Sequence, residues 1–241
     1  MNINIFKNQH ELLKSTALYF IKIAHESIAE KGTFNVALAG GNSPKKLYEL
    51  LSTDEYKNQV DWRNVYFFFG DERCVPADDP QSNARMVQES LFSPLKIAES
   101  QIFKTDTTLS PFEAAKKYHK TMLAHFNQQP IRFDLTLLGL GDNAHTASLF
   151  PFSSVLDETS ASVQAVFLKD QNSSRITMTA PLINQSKHIA FLVYGLEKAE
   201  AVYHVLIDDR NTEKFPAQLV KSPTGEMQWF LDEAAASLLE R

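Results

Sequence analysis

The sequence predicts an α/β protein, a mostly parallel β-sheet with helices on both faces. Three observations carry this. Short β-type apolar runs alternate with longer segments whose apolar residues recur every three or four positions. The run from Asn64 to Phe69 is continuous enough for a strand buried on both faces, and the apolar run from Phe133 to Leu138 reads as a buried strand. Glycines follow the strand-like runs at Gly40-Gly41, Gly70, Gly139 and Gly195. In α/β proteins, ligands bind outside the carboxyl ends of the strands. No Pro/Gly/Ser linker divides the chain, so one domain over 1–241 is expected.

In order, Gln9 to Lys31 places Leu13, Ala17, Phe20, Ile21, Ala24 and Ile28 on one helical face, and Gly32 is a natural stop. Thr33 to Ala39 reads as a strand. Gly40-Gly41-Asn42-Ser43 is the turn after it, Pro44 suits the first helical position, and Lys45 to Leu51 continues the helix. After the Phe-rich strand, Gly70 to Pro80 reads as a charged, proline-containing loop, and Ser82 to Phe92 as a helix. Pro111 to Phe126 is a helix with Phe112, Ala115, Tyr118, Met122 and Phe126 as its buried side. Val163 to Leu168, Arg175 to Thr179 and Ile189 to Tyr194 are strand-like, and Glu197 to Ile207 is helical. Gln228 to Leu231 reads as a final short strand, with Asp232 capping a helix through Leu239.

The totals narrow the function classes. A length of 241 residues is enough for a substantial core. A net charge of −5 argues against general nucleic-acid binding, which needs a basic face, but leaves room for a small anion. The single cysteine, Cys74, cannot form an internal disulfide or a cysteine-rich zinc site, so a reducing, cytoplasmic setting is expected. No signal-peptide pattern and no membrane-length apolar run are seen, so no membrane partner is expected. His10, His25, His119, His125, His188 and His204 show no metal-ligand spacing and read as structural.

Several stretches carry chemistry. Gly41, Asn42 and Ser43 open a helix after a strand, where free N–H groups favour an anion; a plain strand–helix turn is the alternative. Asp71, Glu72 and Arg73 end the Phe-rich strand where ligands bind, or form a solvated ion-paired loop. Gly139-x-Gly141-x-x-Ala144 matches a dinucleotide fingerprint in form, but it follows the third strand rather than the first. The alternative is that these glycines present His145, whose ordinary pKa of about 6.5 suits a general base. Arg175 opens a strand. Lys198 sits in a first helical turn, where a cation is disfavoured; either a bound anion or a side chain that bends into solvent accounts for it.

Taken together these stretches resemble the 6-phosphogluconolactonase family, over essentially the whole chain. The matching pieces are Leu38 to Pro44, Phe69 to Pro76, Ser82 to Met86, Phe133 to Gly141, His145 to Pro151, Arg175 to Thr179, and Gly195 with Lys198. The resemblance implies a sugar-phosphate-isomerase-like α/β fold. It also implies cofactor-free hydrolysis of 6-phospho-D-glucono-1,5-lactone in the oxidative pentose phosphate pathway. A small sugar-phosphate lactone is then the partner, with a monomer or homodimer expected. His145 becomes the base, Asp71 and Arg73 complete the catalytic set with Arg73 near the oxyanion or the phosphate, and Arg175 and Lys198 hold the phosphate over Gly41, Asn42 and Ser43.

The family usually has Asp-Gly-His where this chain has Asn143-Ala144-His145. Asn143 can hydrogen-bond but supplies no charge, so Asp142, Asp71 and Glu72 are candidates to compensate. The competing resemblance is to glucosamine-6-phosphate deaminase. That family has a glutamate before the proline where this chain has Phe150-Pro151, and Asp-Glu-Tyr where this chain has Asp71-Glu72-Arg73. A sugar-phosphate-binding regulator on the same fold is the non-enzymatic alternative.

Overall fold

The structure is a computed structural model that describes residues 1–169, 172–223 and 225–239. In chain order the principal elements are β1 (Asn2–Phe6), α1 (Gln9–Lys31), β2 (Phe34–Leu38), α2 (Asn42–Leu51), β3 (Val65–Phe69), β4 (Asp71–Arg73), α3 (Asn83–Val87), α4 (Ser93–Leu95), α5 (Pro111–His125), β5 (Leu135–Leu138), β6 (Val163–Leu168), β7 (Ser173–Met178), α6 (Ala180–Ile183), β8 (His188–Val193), α7 (Ala199–Leu206) and β9 (Glu226–Asp232).

Six strands form a parallel sheet in the order β1-β9-β8-β5-β2-β3. Because side chains alternate between faces, each central strand feeds two cores. Ala37, Phe68, Leu138, Phe191 and Trp229 pack on one face with α5, α6 and α7. Val36, Leu38, Phe67, Phe69, Leu137 and Leu192 pack on the other with α1 and α2. This is why the central strands read as continuous apolar runs rather than alternating ones. The mostly parallel sheet covered on both faces is the architecture expected.

Several details differ. β1 was not anticipated: its polar and apolar residues alternate, Ile3 and Ile5 stay exposed, and it is an edge strand pairing with the distant β9. The expected loop after Gly70 begins as β4, which joins a second sheet, antiparallel, in the order β4-β7-β6. Gly70 is the junction: its N–H extends the ladder to Leu38 O at 2.9 Å and its carbonyl accepts from Met178 N at 2.8 Å. Helix α2 starts at Asn42, so Pro44 is its third residue rather than its first. The helix expected from Ser82 is α3, capped by the Ser82 side chain, and then widens into a π-turn over Gln88–Phe92. Phe112 is 70% exposed, not buried, because it lies at the open start of α5. After β9 there is a run of turns instead of a helix. Asp232 does cap it, accepting from Ala235 N at 2.8 Å, but also holds Gly195 N at 3.1 Å and so ties the chain's end to the loop after β8.

Candidate active site

From β2 the chain steps outward to β3, then returns across β2 to β5 and proceeds through β8 to β9. The order reverses between β2 and β5, and such a reversal opens a crevice at the carboxyl ends of the strands. Only Val36↔Leu135 and Ala37↔Thr136 pair across that junction; Leu38 pairs with Phe69, and Leu138 with Phe191. The resulting cleft has a volume of about 620 Å³ and is walled by the loops after β2, β3, β5 and β8.

The β2 wall is an anion cradle. Tyr48 Oη donates to Ala39 O at 2.8 Å and accepts from Ala39 N at 3.0 Å, fixing the strand's exit. Gly41 has φ 92°, in the region that favours glycine, and sets the start of α2. The first-turn residues Asn42 and Ser43 line the cleft with Lys45 and Lys46, and the first turn has no acidic residue. Unpaired N–H groups, the helix dipole and two ammonium groups make this wall suited to a phosphate. Gly40 is required by its neighbour, since a Cβ there would lie 2.0 Å from Asn83 Oδ1.

The β5 wall presents His145. The turn closes through Ala144 N to Gly141 O at 2.9 Å and Gly141 N to His145 O at 2.8 Å. The imidazole rests on Gly141, where a Cβ would stand 2.0 Å from its Cε1, and stacks on Phe150 at 4.1 Å between centroids. Ala144 has φ 58°, a left-handed conformation that costs a non-glycine residue roughly 1 kcal/mol. Ala217 N donates to its carbonyl and pins it there. His145 Nδ1 lies 2.5 Å from Asn143 Oδ1. An amide oxygen only accepts, so Nδ1 carries the proton and Nε2 keeps its lone pair. Burial, reinforced by Lys198, Arg73 and Arg175, pushes the imidazole down to about 4, with Asp142 pulling the other way. It is neutral at pH 7, the form a base requires.

Asp71 brackets the two walls. Its carboxylate accepts from Ser148 Oγ at 2.6 Å, three residues beyond His145, and from Asn83 Nδ2 at 3.2 Å beside Gly40. Burial pushes its pKa up, against the pull of Ser148, Arg73, Arg175 and Asn83. Arg73 lines the cleft and donates to Gln81 O.

The structure brings His145, Asp71, Arg73, Gly41, Asn42, Ser43 and Lys198 into one cleft. Arg175 is placed differently. It is the cross-strand partner of Arg73, buried outside the cleft lining, with Nη1 donating to Ser173 Oγ and Ser174 O. It reaches His145 through its charge rather than by lining the wall. Of the orienting candidates, Asn143 holds the imidazole. Asp142 is paired with Lys198 at 2.5 Å. The buried Glu72 accepts from the backbone N–H of Arg73, Asn83 and Ala84 at 2.7–2.8 Å, which commits it to the start of α3. The sequence reading missed Lys45, Lys46, Glu49, Tyr194 and Glu197 as lining residues. Lys45, at the end of the first turn of α2, carried the same signal as Lys198, a cation near a helix start.

Residues 7–229 match the family described as glucosamine-6-phosphate isomerases/6-phosphogluconolactonase. The chain belongs to this family. Within it, a 6-phosphogluconolactonase of Synechocystis sp. is 34% identical over 98% of both chains. A probable chloroplastic 6-phosphogluconolactonase of Oryza sativa is 36% identical over 98% of this chain and 75% of its own. Among solved structures, the 6-phosphogluconolactonase of Trypanosoma cruzi superposes with a TM-score of 0.88 at 29% identity, covering 100% of this chain and 97% of that one. A monomeric glucosamine-6-phosphate deaminase at 24% identity shares the fold, with a TM-score of 0.83.

Proposed function

We propose that this chain, like its lactonase relatives, hydrolyses 6-phospho-D-glucono-1,5-lactone to 6-phospho-D-gluconate in the oxidative pentose phosphate pathway, with His145 as general base. The observation that carries the base is its orientation: Asn143 Oδ1 accepts a hydrogen bond from Nδ1–H, which leaves the Nε2 lone pair free in an imidazole that lines the cleft. The substrate phosphate sits over Gly41, Asn42 and Ser43 with Lys198 beside it. Nε2 removes a proton from a water as its oxygen attacks the lactone carbonyl. Arg73 steadies the developing oxyanion. When the tetrahedral intermediate collapses, the ring C–O bond breaks, the imidazolium protonates the departing ring oxygen, and the product carboxylic acid ionises. Arg175 adds positive field from behind the cleft, and Asp71 keeps the cradle and the base in register. Phe150 favours hydrolysis over deamination: it covers the imidazole with an apolar ring and supplies no second proton carrier. We place the protein in the cytoplasm, acting as one domain over 1–241, as monomer or homodimer. Among the described residues no helix is long and apolar enough to cross a membrane.

His145→Ala tests the assignment. Lactonase activity, followed by pH-stat and corrected for spontaneous hydrolysis, is expected to fall at least about 100-fold, while 6-phosphogluconate still binds in calorimetry. Near-normal turnover removes His145 as base. Ammonia release from glucosamine 6-phosphate is the control and is expected to stay at background.

A further inference from the structure

Lys198 and Asp142 meet at 2.5 Å, and the two sides of this pair are unlike. The lysine side chain is 21% exposed and lines the cleft; the aspartate is 76% exposed and does not. Lys198 immediately precedes α7, where the helix dipole disfavours a cation and nearby anions, Glu200 in the first turn of α7 among them, offset it. Asp142 is the anion that touches the ammonium, and it comes from the turn that presents His145. A phosphate arriving at Lys198 therefore meets a site already held by a carboxylate. An exposed carboxylate loses little by returning to water, whereas a phosphate dianion at a partly covered ammonium gains more.

We propose that Asp142 is a resident counter-ion for Lys198, holding the ammonium whenever no substrate is bound and yielding it to the incoming phosphate. This rests on the phosphate site proposed above and adds a step to it. The exchange reaches the base. The charged groups acting on His145 are Asp142 on its own turn, Lys198 ahead of α7, Arg73 on β4 and Arg175 on β7. After burial, the three cations depress the imidazole's proton affinity and Asp142 opposes them. A phosphate on Lys198 cancels one cation and leaves Asp142 uncommitted beside the ring. Phosphate binding and proton uptake by His145 thus favour each other, and the coupling is reciprocal. The base strengthens when the substrate's own phosphate arrives.

Inorganic phosphate is the probe, since it requires no turnover. Asp142→Asn, Lys198→Met and the double variant are titrated by calorimetry, with the His145 ring followed by NMR from about pH 3 to pH 8. Asp142→Asn is expected to tighten phosphate about two- to fivefold, the worth of an exposed ion pair. That gain is expected to vanish in the Lys198→Met background, as a pairwise coupling must. Saturating phosphate is expected to raise the pH at which His145 titrates in the unaltered protein. A gain that persists without Lys198 is a general field effect and overturns the exchange. Unchanged or weaker phosphate binding by Asp142→Asn overturns it too, as does a His145 titration that phosphate does not move. If Lys198→Met alone leaves phosphate affinity unchanged, the phosphate site itself fails. The two failures are therefore distinguishable.

Discussion

Asn143 decides how His145 works. Its amide oxygen fixes the tautomer but gives the imidazolium no charge to rest against, and burial then holds the ring at about 4. Asn143→Asp puts a carboxylate at the same point. An opposite charge at that range favours the charged ring and raises a histidine's pKa. The sign follows directly. A base is active only when deprotonated, so the acid limb of kcat/KM is expected to move to higher pH, with activity lost near pH 5 and a stronger base at pH 8. A pH–rate profile checks this, and an unmoved limb means that Asn143 does not govern the ring. The sequence singles out His145 through the family resemblance of the stretches around it, since a histidine after a glycine turn is, taken alone, at least as often a polar residue at a helix start. Its support is not singled out. Asp142, Asn143, Asp71 and Glu72 are all near in sequence or motif, and only the direction of each side chain separates them. The turn sends Asn143 to the ring and Asp142 to Lys198, and no spacing rule encodes that.

Helix α3 is set from outside itself. The Glu72 carboxylate, projecting from β4, accepts the N–H groups of Asn83 and Ala84, while Ser82 caps Arg85 N at 3.2 Å. Burial pushes the Glu72 carboxyl up, and the backbone N–H groups of Asn83, Ala84 and Arg73 oppose that shift. Hydrogen bonds to a buried charged acceptor contribute about 1.5–3 kcal/mol. Glu72→Gln is expected to lower unfolding stability by an amount of that order in urea denaturation. KM is expected to rise as well, because Asn83 at the start of α3 abuts Gly40 in the cradle. Unchanged stability removes Glu72 from that role. The strands with the plainest sequence signal, β2, β3, β5 and β8, are those sealed between two cores, where most residues are apolar, while β6 and β7 show only as short β-type runs. Sequence reading missed β1 and β4 because an exposed edge strand and a three-residue charged strand carry no such signature. Their pairing partners, β9 and β7, lie far along the chain.

At the scale of the whole molecule, alternation of strand and helix was enough to give the parallel sheet and the end at which its loops gather. The second, antiparallel sheet was not readable, because β4 carries charges and β6 and β7 resemble any other short strands. What the sheet order contributes to the chemistry is a fixed span. The cradle hangs from β2 and the imidazole from β5, which are neighbours parted at their carboxyl ends. Adjacent strands lie about 4.8 Å apart, so one strand spacing and the reach of two loops set the distance from phosphate to carbonyl. With the phosphate seated as proposed, such a span would gauge carbon-chain length. Phosphorylated lactones with fewer carbons, seated by the same phosphate, are expected to stop short of Nε2 and to lose kcat more than affinity. A series differing only in chain length measures this, and equal kcat across it refutes the gauge. Its span is set by the two strands, so a change at Lys45 or Lys46 in the cradle is expected to alter how tightly a substrate is held without changing the length that is read.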